Sequence, residues 1–305
     1  MVTASPALRI LLLTADPLLP GRMEEYGAKF RGGAWTVQAT DDPVKGLGLL
    51  QSGRFLVCVI DQEVGGGKGL EFLRSAGGND CPVPVIFLLP GADEDTIEAV
   101  MEAGAMDYLI KEDITLRMIE HAVRYARKLG ETMTRLRQLA THDALTGLYN
   151  RREFDRIISE EWQRSMRFGH TFALVMCDID HFKKINDGYG HDVGDEVLRE
   201  FAVRVASNVR AIDLPCRYGG EEFVVVMPDT KLEDAERIAE RIRLHVAGSP
   251  FRVKGGSELL TVTISVGVAA TLGEGDKPEA LLKRADEAVY EAKAHGRNKV
   301  VARAA

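Results

Sequence analysis

Short, solid apolar runs and amphipathic stretches alternate along the first third of the chain. The runs at 8–13, 35–39, 55–60, 83–89 and 108–110 are rich in Leu, Val and Ile. Their length and flanking breakers predict buried strands. Helical spacing between them predicts helices over 16–30, 43–50 and 93–103, the first interrupted by proline. Strands alternating with helices predict an α/β domain, with a parallel sheet covered on both faces and functional groups at the carboxyl ends of its strands.

A single long helical pattern then covers 114–140. Ile114, Met118, Ala122, Tyr125, Leu129, Met133, Leu136 and Leu139 recur at three- and four-residue steps, close to a heptad stripe. Its first half must cover the sheet. The second half carries many Arg and Glu, with neither Gly nor Pro after Gly130, and nothing nearby in the chain offers it a partner. A second copy of the chain is the economical cover, which predicts a homodimer. The plainer reading is a last domain helix running into a solvated linker.

Beyond this helix the pattern predicts helices at 151–167, 194–210, 232–246 and 277–294. Strands are expected at 171–177, 259–270 and 299–302, with a hairpin about Gly219-Gly220. The domains are accordingly placed at 1–128 and 143–305, joined by a helical stalk at 129–142.

Composition narrows the function classes. The 305 residues carry a formal net charge of −7 and 45% hydrophobic residues, an ordinary globular balance. An acidic chain lacks the basic face of a general nucleic-acid binder, although a nucleotide substrate needs only local cations. Cys58, Cys81, Cys177 and Cys216 form no CxxC pair and read as small residues in a reducing cytoplasm. No run is long enough for a membrane span, no signal-peptide core opens the chain, and the histidines show no metal-ligand spacing.

The candidate chemistry lies in the second half. In Arg217-Tyr218-Gly219-Gly220-Glu221-Glu222-Phe223, adjacent carboxylates stand at a hairpin tip where Asn-Gly or Asp-Gly is usual. Neighbouring strand residues face opposite ways, so Glu221 and Glu222 are expected to serve different tasks. Alone, the heptapeptide reads equally well as a charged turn that blunts a sheet end. The apolar run 172–177, however, ends in Asp178-Ile179-Asp180, then His181-Phe182-Lys183-Lys184-Ile185-Asn186. If the hairpin pairs beside that strand, Asp178 and Glu221 converge on an oxygen-rich site suited to Mg²⁺, with Lys183 and Lys184 near its phosphates.

These pieces resemble the GGDEF family, the diguanylate cyclases, in its GGEEF variant. The matching motifs are Asp-Ala-Leu-Thr-Gly-Leu-Tyr-Asn-Arg-Arg at 143–152, the 178–195 stretch, Arg210-Ala-Ile-Asp213, Gly219-Gly220-Glu221-Glu222-Phe223 and Lys293-Ala-His-Gly-Arg297. The resemblance implies a palm-like α/β cyclase fold and condensation of two GTP into cyclic di-GMP with release of pyrophosphate. It implies Mg²⁺, or Mn²⁺ in its place, held by Asp178, the Ile179 carbonyl and Glu221. Glu221 would also accept the 3′-hydroxyl proton, and Glu222 would contact the metal or the neighbouring strand. Lys183 would stabilise the transition state, while Lys293 and Arg297 hold the triphosphate and the Phe182 and Lys183 amides assist. Gly219 and Gly220 leave room for substrate at the backbone. Asn186 and Asp195 would read guanine, whose pairing edge offers N–H donors to a carboxylate where adenine offers an acceptor. By itself Asp195 reads as an acid in the first turn of a helix. Arg210 and Asp213, joined by Arg241, would form a site for inhibition by the product. The other class of function in view is a non-catalytic module that binds cyclic di-GMP or GTP and signals through the stalk.

The first domain is similar to a receiver of two-component signalling, a flavodoxin-like (βα)5 fold. Asp61 stands where receivers carry the phosphorylated aspartate, and Lys111 ends the fifth strand. The acid pair that holds Mg²⁺ in receivers is replaced by Thr14-Ala15, with Asp16 nearby, and the hydroxyl residue of the fourth strand by Leu89. The expectation is a degenerate receiver that docks or dimerises instead of switching by phosphate.

Overall fold

The computed structural model describes residues 8–30, 35–271 and 276–303. The chain divides into two compact units, Met1–Leu136 and Arg137–Ala305.

In the first unit the elements run β1 (Leu8–Leu13), α1 (Leu19–Lys29), β2 (Trp35–Thr40), α2 (Pro43–Gln51), β3 (Val57–Asp61), α3 (Val64–Gly67), α4 (Gly69–Ser75), β4 (Val85–Leu89), α5 (Glu94–Glu102), β5 (Asp107–Ile110) and the start of α6 (Leu116–Thr141). All five strands are parallel, in the order β2-β1-β3-β4-β5. That is the doubly wound, flavodoxin-like order. Alternate strand residues feed two apolar layers, one beneath α1 and α6, the other beneath α2 and α4.

Two expectations change here. The first helix starts at Leu19, not 16, because Asp16 Oδ1 accepts the Leu18 amide in a local turn, and Pro20 then fits the first helical turn. The helical segment α3–α4 was not anticipated. Its Gly-rich start places Gly65 and Gly66 at positive φ, and only the short stretch beyond presents an apolar face.

Within α6, Ile119, Ala122, Val123 and Ala126 are buried. The buried face is therefore offset from the expected stripe, since Met118, Tyr125, Met133, Leu136 and Leu139 are exposed.

The second unit holds the rest of α6, α7 (Arg151–Phe168), β6 (Ala173–Ile179), α8 (Phe182–Tyr189), α9 (His191–Ser207), β7 (Leu214–Gly219), β8 (Glu222–Met227), α10 (Leu232–Gly248), β9 (Phe251–Val253), β10 (Glu258–Leu260), β11 (Ile264–Ala270), α11 (Pro278–Ala294) and β12 (Val300–Arg303). The main sheet runs β12-β11-β6-β8-β7, and β9 with β10 forms a separate ribbon. Every residue of central β6 is buried. One face of the sheet packs against α9 and α10, the other against α7 and α11. Arg204 on α9 is buried; its guanidinium caps the end of α10 through the Val246, Ser249 and Pro250 carbonyls and lies over the Phe251 ring.

Beyond shifts of a few residues at element ends, three features differ from the sequence reading. The helix expected at 194–210 spans His191–Ser207 and is preceded by α8, because Gly190 at φ 90° closes one helix and opens the next. The strand expected at 259–270 is split into β10 and β11. The expected hairpin has a two-residue turn, Gly220-Glu221, with a bulge at Tyr218.

Candidate active site

The site is built where β6 meets the β7–β8 turn. β6 and β8 are antiparallel, which sets Asp178 directly opposite Glu222, and the Ile179 amide donates to the Glu221 carbonyl at 3.4 Å. Glu221 lies in the turn, with Gly220 at φ 37° before it. Glu221 therefore stands outside the strand alternation, and both carboxylates act on Asp178. Burial pushes the Asp178 carboxyl above its ordinary range, the Lys293 ammonium pulls it back, and the Glu221 and Glu222 charges push it up again. The Lys293 Nζ stands 2.6 Å from Asp178 Oδ2. Two further acids near a carboxylate that already holds one ammonium make a place that favours a positive ion.

Among the described residues, no three His, Cys, Asp or Glu side chains gather into a metal cage. Such a cage is not required of Mg²⁺, which typically takes one or two carboxylates and completes its shell with water and phosphate. The donor set fits that pattern: an Asp178 carboxyl raised first by burial and further by the neighbouring acids, with an ammonium already drawn to it.

The turn itself is clamped from behind. Arg217 donates to the Gly220 carbonyl at 2.9 Å and to both oxygens of Asp143 at 3.1 and 3.2 Å. Asp143 also accepts from the amide and hydroxyl of Thr146. Burial alone would raise the Asp143 carboxyl, but Thr146 and then Arg217 outweigh it and hold it below the usual carboxylate range. The sequence placed Asp143 in a motif without giving it a task. Its task is visible only once Arg217 is seen to join the two segments.

The α8–α9 pair lies beyond β6. Phe182 is buried among core side chains, so only its amide can meet a substrate. The Lys184 and Ile185 amides turn back to the His181 carbonyl, and Lys183 is exposed at the start of α8. Asn186 packs closely against Gly194, and its Oδ1 is buried without a hydrogen-bond partner. An acceptor in that condition suits an N–H donor from a ligand. Asp195 falls beyond the first turn of α9, where the acid is Asp192, so the first-turn reading does not account for it.

Lys293 sits in the last turn of α11, and Arg297 follows in a turn with φ 63°. Gly219 pairs with Glu222 across the hairpin, and a Cβ there would come no closer than 3.7 Å to Glu222 Oε2.

Arg210 and Asp213 face each other. The Arg210 guanidinium donates to Asp213 Oδ1 at 3.0 Å and to the Thr230 hydroxyl, and the Arg210 amide donates to Asp213 Oδ2 at 2.7 Å. The Asp213 side chain is fully buried while that of Arg210 is 46% exposed. The pair is therefore more than a surface contact: the arginine is presented to solvent on a buried acid. Arg241 reaches from α10 to the Asn208 carbonyl at 2.5 Å, close to Arg210 in the chain.

In the first unit Asp61 is buried, accepting from the Thr14 hydroxyl at 2.6 Å, the Lys111 ammonium at 2.9 Å and the Glu63 amide at 3.2 Å. Lys111 also pairs with Glu63 at 2.7 Å. Burial alone would lower the Lys111 pKa, but Glu63 and Asp61 outweigh it and raise it.

The model of the diguanylate cyclase GGDEF domain matches residues 140–299, and that of the response regulator receiver domain matches residues 23–124. The chain is 54% identical over 229 residues to the response regulator PleD of Caulobacter vibrioides, covering 73% of this chain and 50% of PleD. It thus spans about half the length of the curated relatives it matches. Among solved structures, the coiled coil and GGDEF domain of DgcB from Caulobacter crescentus, in complex with c-di-GMP, aligns with a TM-score of 0.56 at 31% identity, covering 61% of this chain and 98% of that one. The diguanylate cyclase SiaD of Pseudomonas aeruginosa, with its activator SiaC, aligns with a TM-score of 0.52 at 40% identity, covering 62% and 73%.

Proposed function

The chain belongs to the GGDEF-domain family of diguanylate cyclases, and on that premise we propose that it joins two GTP molecules into cyclic di-GMP with release of pyrophosphate. The observation that carries the reading is the convergence of Asp178, Glu221 and Glu222 at one strand end, with the Lys293 ammonium on Asp178. Asp178, the Ile179 carbonyl and Glu221 would hold Mg²⁺, or Mn²⁺ in its place; when bound, the ion neutralises phosphate charge.

The chain's own groups do the rest. Lys183 and the amides at the start of α8 receive phosphate oxygens, and Lys293 and Arg297 hold the triphosphate tail. The Lys293 ammonium has three donors, one of them already on Asp178, which leaves the others for phosphate oxygens. Asn186 and Asp195 select guanine. Glu221 accepts the proton of the attacking 3′-hydroxyl. Arg210, presented on Asp213 and joined by Arg241, binds product and inhibits the reaction. Each chain carries one such half-site, so the working form is a homodimer with two facing sites. Purified protein incubated with GTP and Mg²⁺ should form cyclic di-GMP, with Glu221→Gln and Asp178→Asn each slower by about 100-fold or more. GTP recovered unchanged with the wild-type chain overturns the reading.

A further inference from the structure

The turn that carries Arg297 has a backbone that side-chain-bearing residues avoid. Gly296, Arg297 and Asn298 have φ of 99°, 63° and 45°. Consecutive left-handed residues of this kind persist only where the surroundings over-determine them.

Asp180 supplies the constraint. It is 5% exposed and lies just past the end of β6. Its Oδ2 accepts the Asn298 amide at 3.0 Å and the Thr263 hydroxyl at 2.7 Å, while its Oδ1 accepts the Ser265 hydroxyl at 2.7 Å. The Asp180 amide donates to the Thr263 carbonyl at 2.9 Å. Three further bonds hold the turn. Arg243 donates to Asn298 Oδ1 at 2.8 Å and to the Asn298 carbonyl at 3.4 Å, and the Arg297 amide donates to the Ala292 carbonyl at 3.0 Å. A buried carboxylate engaged by two hydroxyls and one turn amide is not placed to meet substrate. Its bond to Asn298 instead fixes the residue next to Arg297.

We propose that Asp180 is a positioning residue: a buried acid that holds the 296–298 turn in its left-handed form and so aims Arg297 at the triphosphate of GTP. The proposal rests on the reading of the site given above. It accounts for a second acid placed beside Asp178 on the same strand end, one facing the reaction and the other shaping the turn that serves it.

The test is binding by the full chain of a non-hydrolysable GTP analogue and of GMP, measured by calorimetry. Wild type is compared with Arg297→Ala, Asp180→Asn, Thr263→Val and the double variant Asp180→Asn/Arg297→Ala. Arg297→Ala should weaken the analogue about ten-fold and leave GMP within about two-fold. Asp180→Asn should reproduce that selectivity, and the double variant should be no weaker than Arg297→Ala, because the two act on one contact. Equal weakening of analogue and GMP by Asp180→Asn, or full additivity in the double variant, overturns the positioning role alone. Arg297→Ala binding the analogue as wild type does overturns the positioning role together with the assignment of Arg297. Thr263→Val keeps the acid and removes one bond to it, so it serves if Asp180→Asn does not fold. It should show the same selectivity at smaller amplitude, and a uniform loss there counts against the proposal.

Discussion

Gly194 shows how much of the site depends on single atoms. A Cβ built there falls 1.9 Å from Asn186 Oδ1 and 3.2 Å from Phe182 Cζ. The Phe182 ring belongs to the core and cannot retreat, so the Asn186 side chain must swing out of its place. Gly194→Ala should therefore lower GTP affinity by about ten-fold while the domain stays folded, measured as calorimetric binding beside a circular-dichroism melt. Unchanged affinity would remove Asn186 from the base pocket. The glycine was legible in sequence as part of a motif. The reason for it was not, since helical spacing says nothing of the neighbour across the α8–α9 turn.

At the scale of elements, the β7–β8 turn is held by a partner far away in the chain, Asp143 acting through Arg217. Because the folded carboxyl of Asp143 lies below its ordinary value, its stabilisation is fully present above the unfolded pKa and is lost as pH falls through the folded one. Asp143→Asn should cost about 1–2 kcal/mol at pH 7, read as a shift in the urea midpoint, and the gap to wild type should start to narrow below about pH 4 and close only under the lowered folded pKa. A gap that persists at acid pH would assign the loss to packing. Activity should fall alongside, since the same arginine fixes the Gly220 carbonyl beside Glu221.

At the scale of the molecule, α6 runs 26 residues, about 39 Å at 1.5 Å per residue, with Met133, Leu136 and Leu139 exposed along its second half. If a second copy covers this stripe, Leu136→Glu with Leu139→Glu should turn a dimer into a monomer by light scattering and reduce cyclase activity at least about ten-fold. Dimer mass retained in that variant would place the interface elsewhere. The N-terminal unit has its own candidate site at Asp61. Its Asp61 already accepts from Thr14, Lys111 and the Glu63 amide, and a threonine stands where receivers bring an acid to a divalent ion. Acetyl phosphate with Mg²⁺ should therefore leave the chain unmodified by intact mass, and a stable adduct on Asp61 would restore phosphate control.

The strand runs and the α/β class were open to a reading of residues alone, because burial of apolar side chains at a fixed period is a local property, whereas the receiver-like order and the roles of the acidic motifs came only from family resemblance. The elements that escaped it have non-local or backbone causes. The α3–α4 segment starts on left-handed glycines, α8 ends on Gly190 at φ 90°, and the β9–β10 ribbon is too short to carry a period. Tertiary structure alone decided which charges meet: Lys293 on Asp178, Arg217 between Asp143 and Gly220, Asp180 beneath the turn of Arg297. Each joins segments that are distant in sequence, and electrostatic attraction and hydrogen bonding act across space once the sheet has brought strand ends together. Spacing along a chain records which side chains share a face, and only the fold records which faces converge.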